Sequence, residues 1–188
     1  GMFLHPGVDR GQCRIGVGTA HQRLDQDATS GQDAGRFSQN LAGRCQCLVA
    51  GGIICGAGAA LNVVLKTLLN PGEKVLVPVP YFAEYRFYID NAGGALCPVE
   101  TGADYALDPD AIGRALDLNP EVKAVLINSP NNPTGRVYPA ESLAELIRRL
   151  TDKSREGGRE VYLVSDEPYR EIVYDGVKTP PVLSAYPD

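Results

Sequence analysis

Two short motifs carry most of the side chains in this chain that suit chemistry: Asn128-Ser-Pro-Asn-Asn-Pro-Thr-Gly135 and, further along, Asp166-Glu-Pro-Tyr169. Asn132 precedes Pro133, which restricts its backbone to extended conformations and can aim its amide in one direction. A fixed amide donor suits a phenolate oxygen. Asp166 follows an apolar run, and a carboxylate at a buried strand end needs a partner, because an isolated buried charge is costly or shifts its pKa. A protonated ring nitrogen would be such a partner, and Tyr169 could reach another atom of the same ring. A third group, Gly56-Ala-Gly-Ala-Ala-Leu61, puts small residues at a helix start, where open N–H groups and the helix dipole favour a phosphate. Each group also has a plain structural reading: a proline-rich turn, a satisfied aspartate with a core tyrosine, and glycines that shape a helix entry.

Elements that would position these groups follow from periodicity. Leu61, Val64, Leu65 and Leu68 recur at helical spacing, and Asn70-Pro71-Gly72 ends that helix before an apolar strand, Lys74 to Val79. A helix over Phe82 to Asn91, a strand from Ala95 to Val99 and a helix opened by Asp108-Pro109 and running to about Leu116 come next. Then come a strand Val122 to Ile127, a long helix from Pro139 with the stripe Leu143, Leu146, Ile147 and Leu150, a stop at Gly157-Gly158, and a strand Val161 to Val164. Glu171 to Tyr174 is expected to form a short extra strand or a helix end. Continuously apolar strands alternating with helices predict a three-layer α/β/α fold with a mostly parallel central sheet. Both motifs then lie at carboxyl ends of strands, where open parallel sheets bind ligands.

From Leu61 to Glu100, 18 of 40 residues are Ile, Leu, Val, Phe or Tyr, against seven from Gly11 to Ala50, so a boundary is expected near Gly51. Residues 1–50 read as an irregular N-terminal segment of unclear structure and 51–188 as a folded domain, which the family resemblance described below implies is a partial cofactor-binding large domain. A net charge of -5 and a pI near 5.1 give no basic footprint for nucleic acid or an anionic membrane, and small-molecule substrates are expected instead. No apolar stretch suits a membrane span or a secretory leader. Five irregularly spaced cysteines and two histidines suggest free thiols, no metal site and a cytoplasmic protein.

In order and spacing these motifs resemble the cofactor-binding signature of class I/II aminotransferases, enzymes of fold type I that use pyridoxal 5′-phosphate; the resemblance covers about residues 52–188. It implies that Asp166 pairs with the pyridinium nitrogen and keeps it protonated, that Asn132 and Tyr169 contact the ring's O3′, and that backbone amides at Ala57 and Gly58 hold the phosphate. Tyr81 matches the residue stacked on the ring face, though a plain core tyrosine also fits there. The implied substrates are an amino acid and a 2-oxo acid, and the implied assembly is a homodimer. The family's Schiff-base lysine would fall beyond Asp188, while Lys178 stands too close to Asp166 in a proline-flanked loop, so no catalytic residue is assigned and a truncated form of the large domain is expected. Gly11 to Ala50 is unlike the Gly-Tyr-rich segment of the family, as a reading-frame change upstream of Gly51 would make it. Two alternatives stay open: a catalytically inactive cofactor-binding or regulatory module, and a Rossmann-type nucleotide-binding domain favoured by Gly56 to Ala60.

Overall fold

A computed structural model describes residues 2–6, 13–17 and 56–182. Its elements are β1 (Met2–Pro6), β2 (Cys13–Val17), α1 (Gly56–Leu68), β3 (Lys74–Val79), α2 (Tyr85–Asn91), β4 (Ala95–Glu100), a 3-10 turn (Ala103–Tyr105), α3 (Pro109–Leu118), β5 (Val122–Asn128), α4 (Ala140–Gly157) and β6 (Tyr162–Asp166). One sheet runs β1-β2-β6-β5-β3-β4, with every neighbouring pair parallel except β1 with β2.

Alternation along the strands builds two cores. Val75, Val77, Ala124, Leu126 and Val164 join one cluster with Leu61, Val64 and Leu65 of α1 and Tyr85 and Ile89 of α2. The intervening residues Leu76, Val125, Ile127 and Leu163 join the other with Ile112 and Leu116 of α3 and Leu143, Leu146, Ile147 and Leu150 of α4. A strand buried on both faces must be apolar at every position, which is why β3, β5 and β6 read as unbroken apolar runs. This is the expected three-layer α/β/α arrangement.

Chain order reverses between β3 and β5: β4 lies outside β3, while β6 lies on the far side of β5. The β3–β5 ladder covers only Lys74 to Leu76, so Pro78, which has no N–H to give, sits beyond it. The carboxyl ends of β3 and β5 therefore flank a topological switch point.

Several expectations shift. The segment 1–50, read as irregular, contributes β1 and β2, and β2 pairs with β6. Helix α2 begins at Tyr85 rather than Phe82, because Tyr85 N–H bonds the Phe82 carbonyl at 3.0 Å in a turn that precedes it. Glu171 to Tyr174 forms neither strand nor helix end: Arg170 and Ile172 bond back to Glu167 and Tyr169 as successive turns. Cys13 and Cys45 to Cys55 carry no described side chain, so their expected thiol state lies outside the described residues, as does most of Gly11 to Ala50.

Candidate functional site

Asn128 and Asp166 are the last residues of β5 and β6 and stand opposite each other in register. Asn128 uses both ends of its amide: Nδ2 donates to the Asp166 carbonyl at 2.9 Å, and Oδ1 accepts from the Asn132 N–H at 2.7 Å. One side chain thus ties the following loop to the neighbouring strand. That loop also closes on itself. Asn131 Oδ1 accepts from the Thr134 hydroxyl at 2.8 Å, Gly135 N–H donates to the Asn131 carbonyl at 2.7 Å, and Tyr138 N–H donates to Ser129 Oγ at 3.0 Å. Gly135 holds φ +71, a left-handed conformation that glycine adopts without steric cost. Buried polar groups at Asn128, Ser129 and Asn131 are satisfied in this way, so the loop is stiff where it presents Asn132.

Asn132 Nδ2 donates to the Tyr169 hydroxyl at 3.0 Å, joining the two motifs directly. Both residues line a cavity of about 490 Å³, with Pro130, Ile172, Tyr174 and Val177 among its other walls.

Asp166 is buried at 4% exposure. Its Oδ2 accepts from the Tyr85 hydroxyl at 2.5 Å, whereas Oδ1 is buried without a hydrogen-bond partner among the described residues. Burial pushes the carboxyl up to about 6; the Tyr85 hydrogen bond opposes this and neighbouring Glu167 adds to it. Burial first, and then the Asp166 charge, push the Tyr85 phenol far up, so it stays protonated and donates.

Ala57 and Gly58 lie at the start of α1, and Tyr81 follows β3. Ala57 and Tyr81 pack half-buried against the α1–α2 core. Gly58 lies in the first turn of α1, and a Cβ there would stand 2.8 Å from the Tyr88 hydroxyl, which is held by Glu84 at 2.6 Å. Tyr85 belongs to the α1–α2 core and also reaches Asp166. Sequence reading missed Tyr85, whose spacing to Ile89 and Ala92 marks it only as part of a buried helical stripe, and it did not single out Asn128 within its motif.

The family model for aminotransferase class I and II matches residues 48–188. The chain belongs to that family. It is 38% identical over 126 residues to the aspartate/prephenate aminotransferase of Thermus thermophilus, covering 66% of this chain and 31% of that relative. Among solved structures, an amino transferase from Eubacterium rectale superposes with a TM-score of 0.65 at 39% identity, covering 70% of this chain and 33% of the other. A PLP-bound C-S lyase from Staphylococcus hominis shares the fold, with a TM-score of 0.61 at 23% identity over 68% of this chain and 32% of its own. The chain thus spans about a third of the length of such aminotransferases. Family membership leaves the dinucleotide-binding alternative with nothing beyond the Gly56 to Ala60 run. Among the described residues, no helix is long and apolar enough to cross a membrane.

Proposed function

We propose that this chain is the cofactor-holding part of a pyridoxal 5′-phosphate-dependent aminotransferase, acting on an amino acid and a 2-oxo acid, with residues 51–188 forming part of its large domain. The observation that carries the reading is Asp166: a buried carboxylate with one oxygen lacking a donor among the described residues, three positions before Tyr169 of the hydrogen-bonded Asn132–Tyr169 pair. A buried acceptor left without a donor is costly, and a protonated ring nitrogen would supply both a donor and an opposite charge.

The residues fit the group. Asp166 would hold the ring nitrogen, Asn132 and Tyr169 the ring oxygen, Tyr81 a ring face, and the N–H groups of Ala57 and Gly58 at the start of α1 the phosphate. When bound, the cofactor supplies an electron sink for the substrate carbanion. The work of this chain is to keep Asp166 ionised against its burial and to hold Asn132 in place through Asn128. Lys178 is exposed beyond the Asp175-Gly176 turn, which argues against it as the residue that anchors the cofactor.

Equilibrium dialysis with pyridoxal phosphate tests the main point: saturable binding that Asp166→Ala weakens at least tenfold is expected, and no saturable binding would remove the proposal. Assays of amino transfer with added cofactor separate enzyme from module. Borohydride reduction and peptide mapping should give no adduct at Lys178. A homodimer, proposed by family resemblance, is checked by sedimentation equilibrium. A cytoplasmic location, proposed from the free thiol of Cys97, is checked by fractionating source cells.

A further inference from the structure

The two oxygens of Asp166 are treated unequally, and the difference comes from one residue on another element. Oδ2 accepts from the Tyr85 hydroxyl at 2.5 Å, while Oδ1 has no hydrogen-bond partner among the described residues. We propose that Tyr85 is a positioning residue for the cofactor ring: by occupying Oδ2 it fixes the rotation of the carboxylate and reserves Oδ1 for the ring nitrogen. This rests on the cofactor reading above.

Tyr85 is built to hold that position. It is 1% exposed on the buried face of α2 with Ile89, and its ring meets Phe82 edge-on with centroids 5.6 Å apart. A side chain so enclosed has little freedom to swing away. Its hydroxyl has one proton, and with the phenol held protonated by burial and by the carboxylate, that proton is always available to Oδ2. A donor to the charged form also favours ionisation, so Tyr85 opposes the burial that pushes Asp166 up to about 6. Among the described residues, the titratable groups acting on this pair are Glu167 beside Asp166, Tyr88 from α2, Tyr138 before α4, and Tyr169 after β6. Glu167 is engaged elsewhere, accepting from Ser165 Oγ at 2.8 Å and from Val182 N–H at 3.3 Å. The Tyr88 hydroxyl donates to Glu84 at 2.6 Å.

Tyr85→Phe tests the assignment. In the cofactor-free protein, carbon-detected NMR should show the Asp166 carboxyl titrating about one pH unit higher than in the unaltered chain. With pyridoxal phosphate, the dissociation constant should rise roughly tenfold, as expected for loss of a hydrogen bond to a charged group. An analogue with carbon in place of the ring nitrogen should bind both proteins with nearly equal affinity, because the effect of Tyr85 passes through the nitrogen. Equal weakening of cofactor and analogue, or an unmoved carboxyl titration, would reduce Tyr85 to a packing residue and overturn the proposal. If the unaltered chain itself fails to bind pyridoxal phosphate, the cofactor reading falls, while the titration still reports whether Tyr85 governs Asp166. Should Tyr85→Phe not fold, the unaltered protein suffices: the Tyr85 hydroxyl proton is expected to resist exchange with the cofactor bound, and its release on binding would overturn the assignment.

Discussion

Ionised Asp166 opposes folding as long as nothing binds it. Its carboxyl is raised from 3.8 to about 6 by burial, so the folded chain holds that proton more tightly than the unfolded one. The stability this group contributes is fully present below pH 3.8 and is lost as pH rises through about 6. Asp166→Asn removes the titration. Without cofactor at pH 7.5 it should stabilise the protein by on the order of 2 kcal/mol, raising the melting temperature by roughly 4–8 °C, with the gain vanishing near pH 4. Urea denaturation at the two pH values checks this, and a gain independent of pH would contradict it. The same substitution should weaken cofactor binding, the usual exchange of stability for function at a site. Binding by the unaltered chain should itself weaken as pH falls below about 6 and the carboxyl takes up a proton. Asn132, Asp166 and Tyr169 were legible in the sequence because each sits in a short motif at a strand end. Tyr85 was not, since its partner lies 81 residues away and only the folded sheet brings them together.

Helix α3 shows how local chemistry sets an element's start. Asp108 is its N-cap, with Oδ1 accepting the Ala111 N–H at 2.9 Å, and Pro109 occupies the first turn, where a missing N–H costs nothing. At its other end Arg159 reaches the Leu116 carbonyl at 3.0 Å, an acceptor the helix leaves open, and also bonds the Pro120 carbonyl just beyond the helix. Asp108→Ala should cost about 1 kcal/mol in urea denaturation and leave pyridoxal phosphate affinity unchanged, because α3 packs on the face opposite α1 and α2. A change in affinity would mean that the two faces are coupled through the sheet. Gly135→Ala should behave differently: nothing lies within 4 Å of the added Cβ, yet φ +71 strains any other residue by about 1 kcal/mol, within the loop that aims Asn132. Both stability and affinity should fall. Caps and stripes made α3 and α4 readable in advance, down to Gly158 at φ +60 ending α4. The start of α2 was misread because Phe82 continues the apolar spacing while its carbonyl serves a turn instead.

At the scale of the molecule, the central strands were predictable because burial on both faces leaves an unmistakable apolar run, whereas β1 and β2 are five residues each within a stretch poor in apolar side chains. Short strands of mixed composition carry no period long enough to read, and their pairing is decided by the edge they meet. That edge matters to the site. Along β2 the register runs from Arg14 opposite Leu163 to Val17 opposite Asp166, so the backbone of β2 covers the side of β6 that ends at the candidate carboxylate. Removing residues 1–17 would leave β6, buried at four of its five positions, as an unpaired apolar edge, an arrangement that invites strand-to-strand association. The shortened chain should therefore self-associate at lower concentration on gel filtration, and amides of Leu163 to Asp166 should exchange at least tenfold faster than in the full chain. Amides of β3, one strand further from the cut than β5, should change little. Unaltered protection along β6 after the deletion would show that β2 does not pair with it in solution. Loss of protection spreading equally through β3 would show instead that the whole sheet depends on the N-terminal pair.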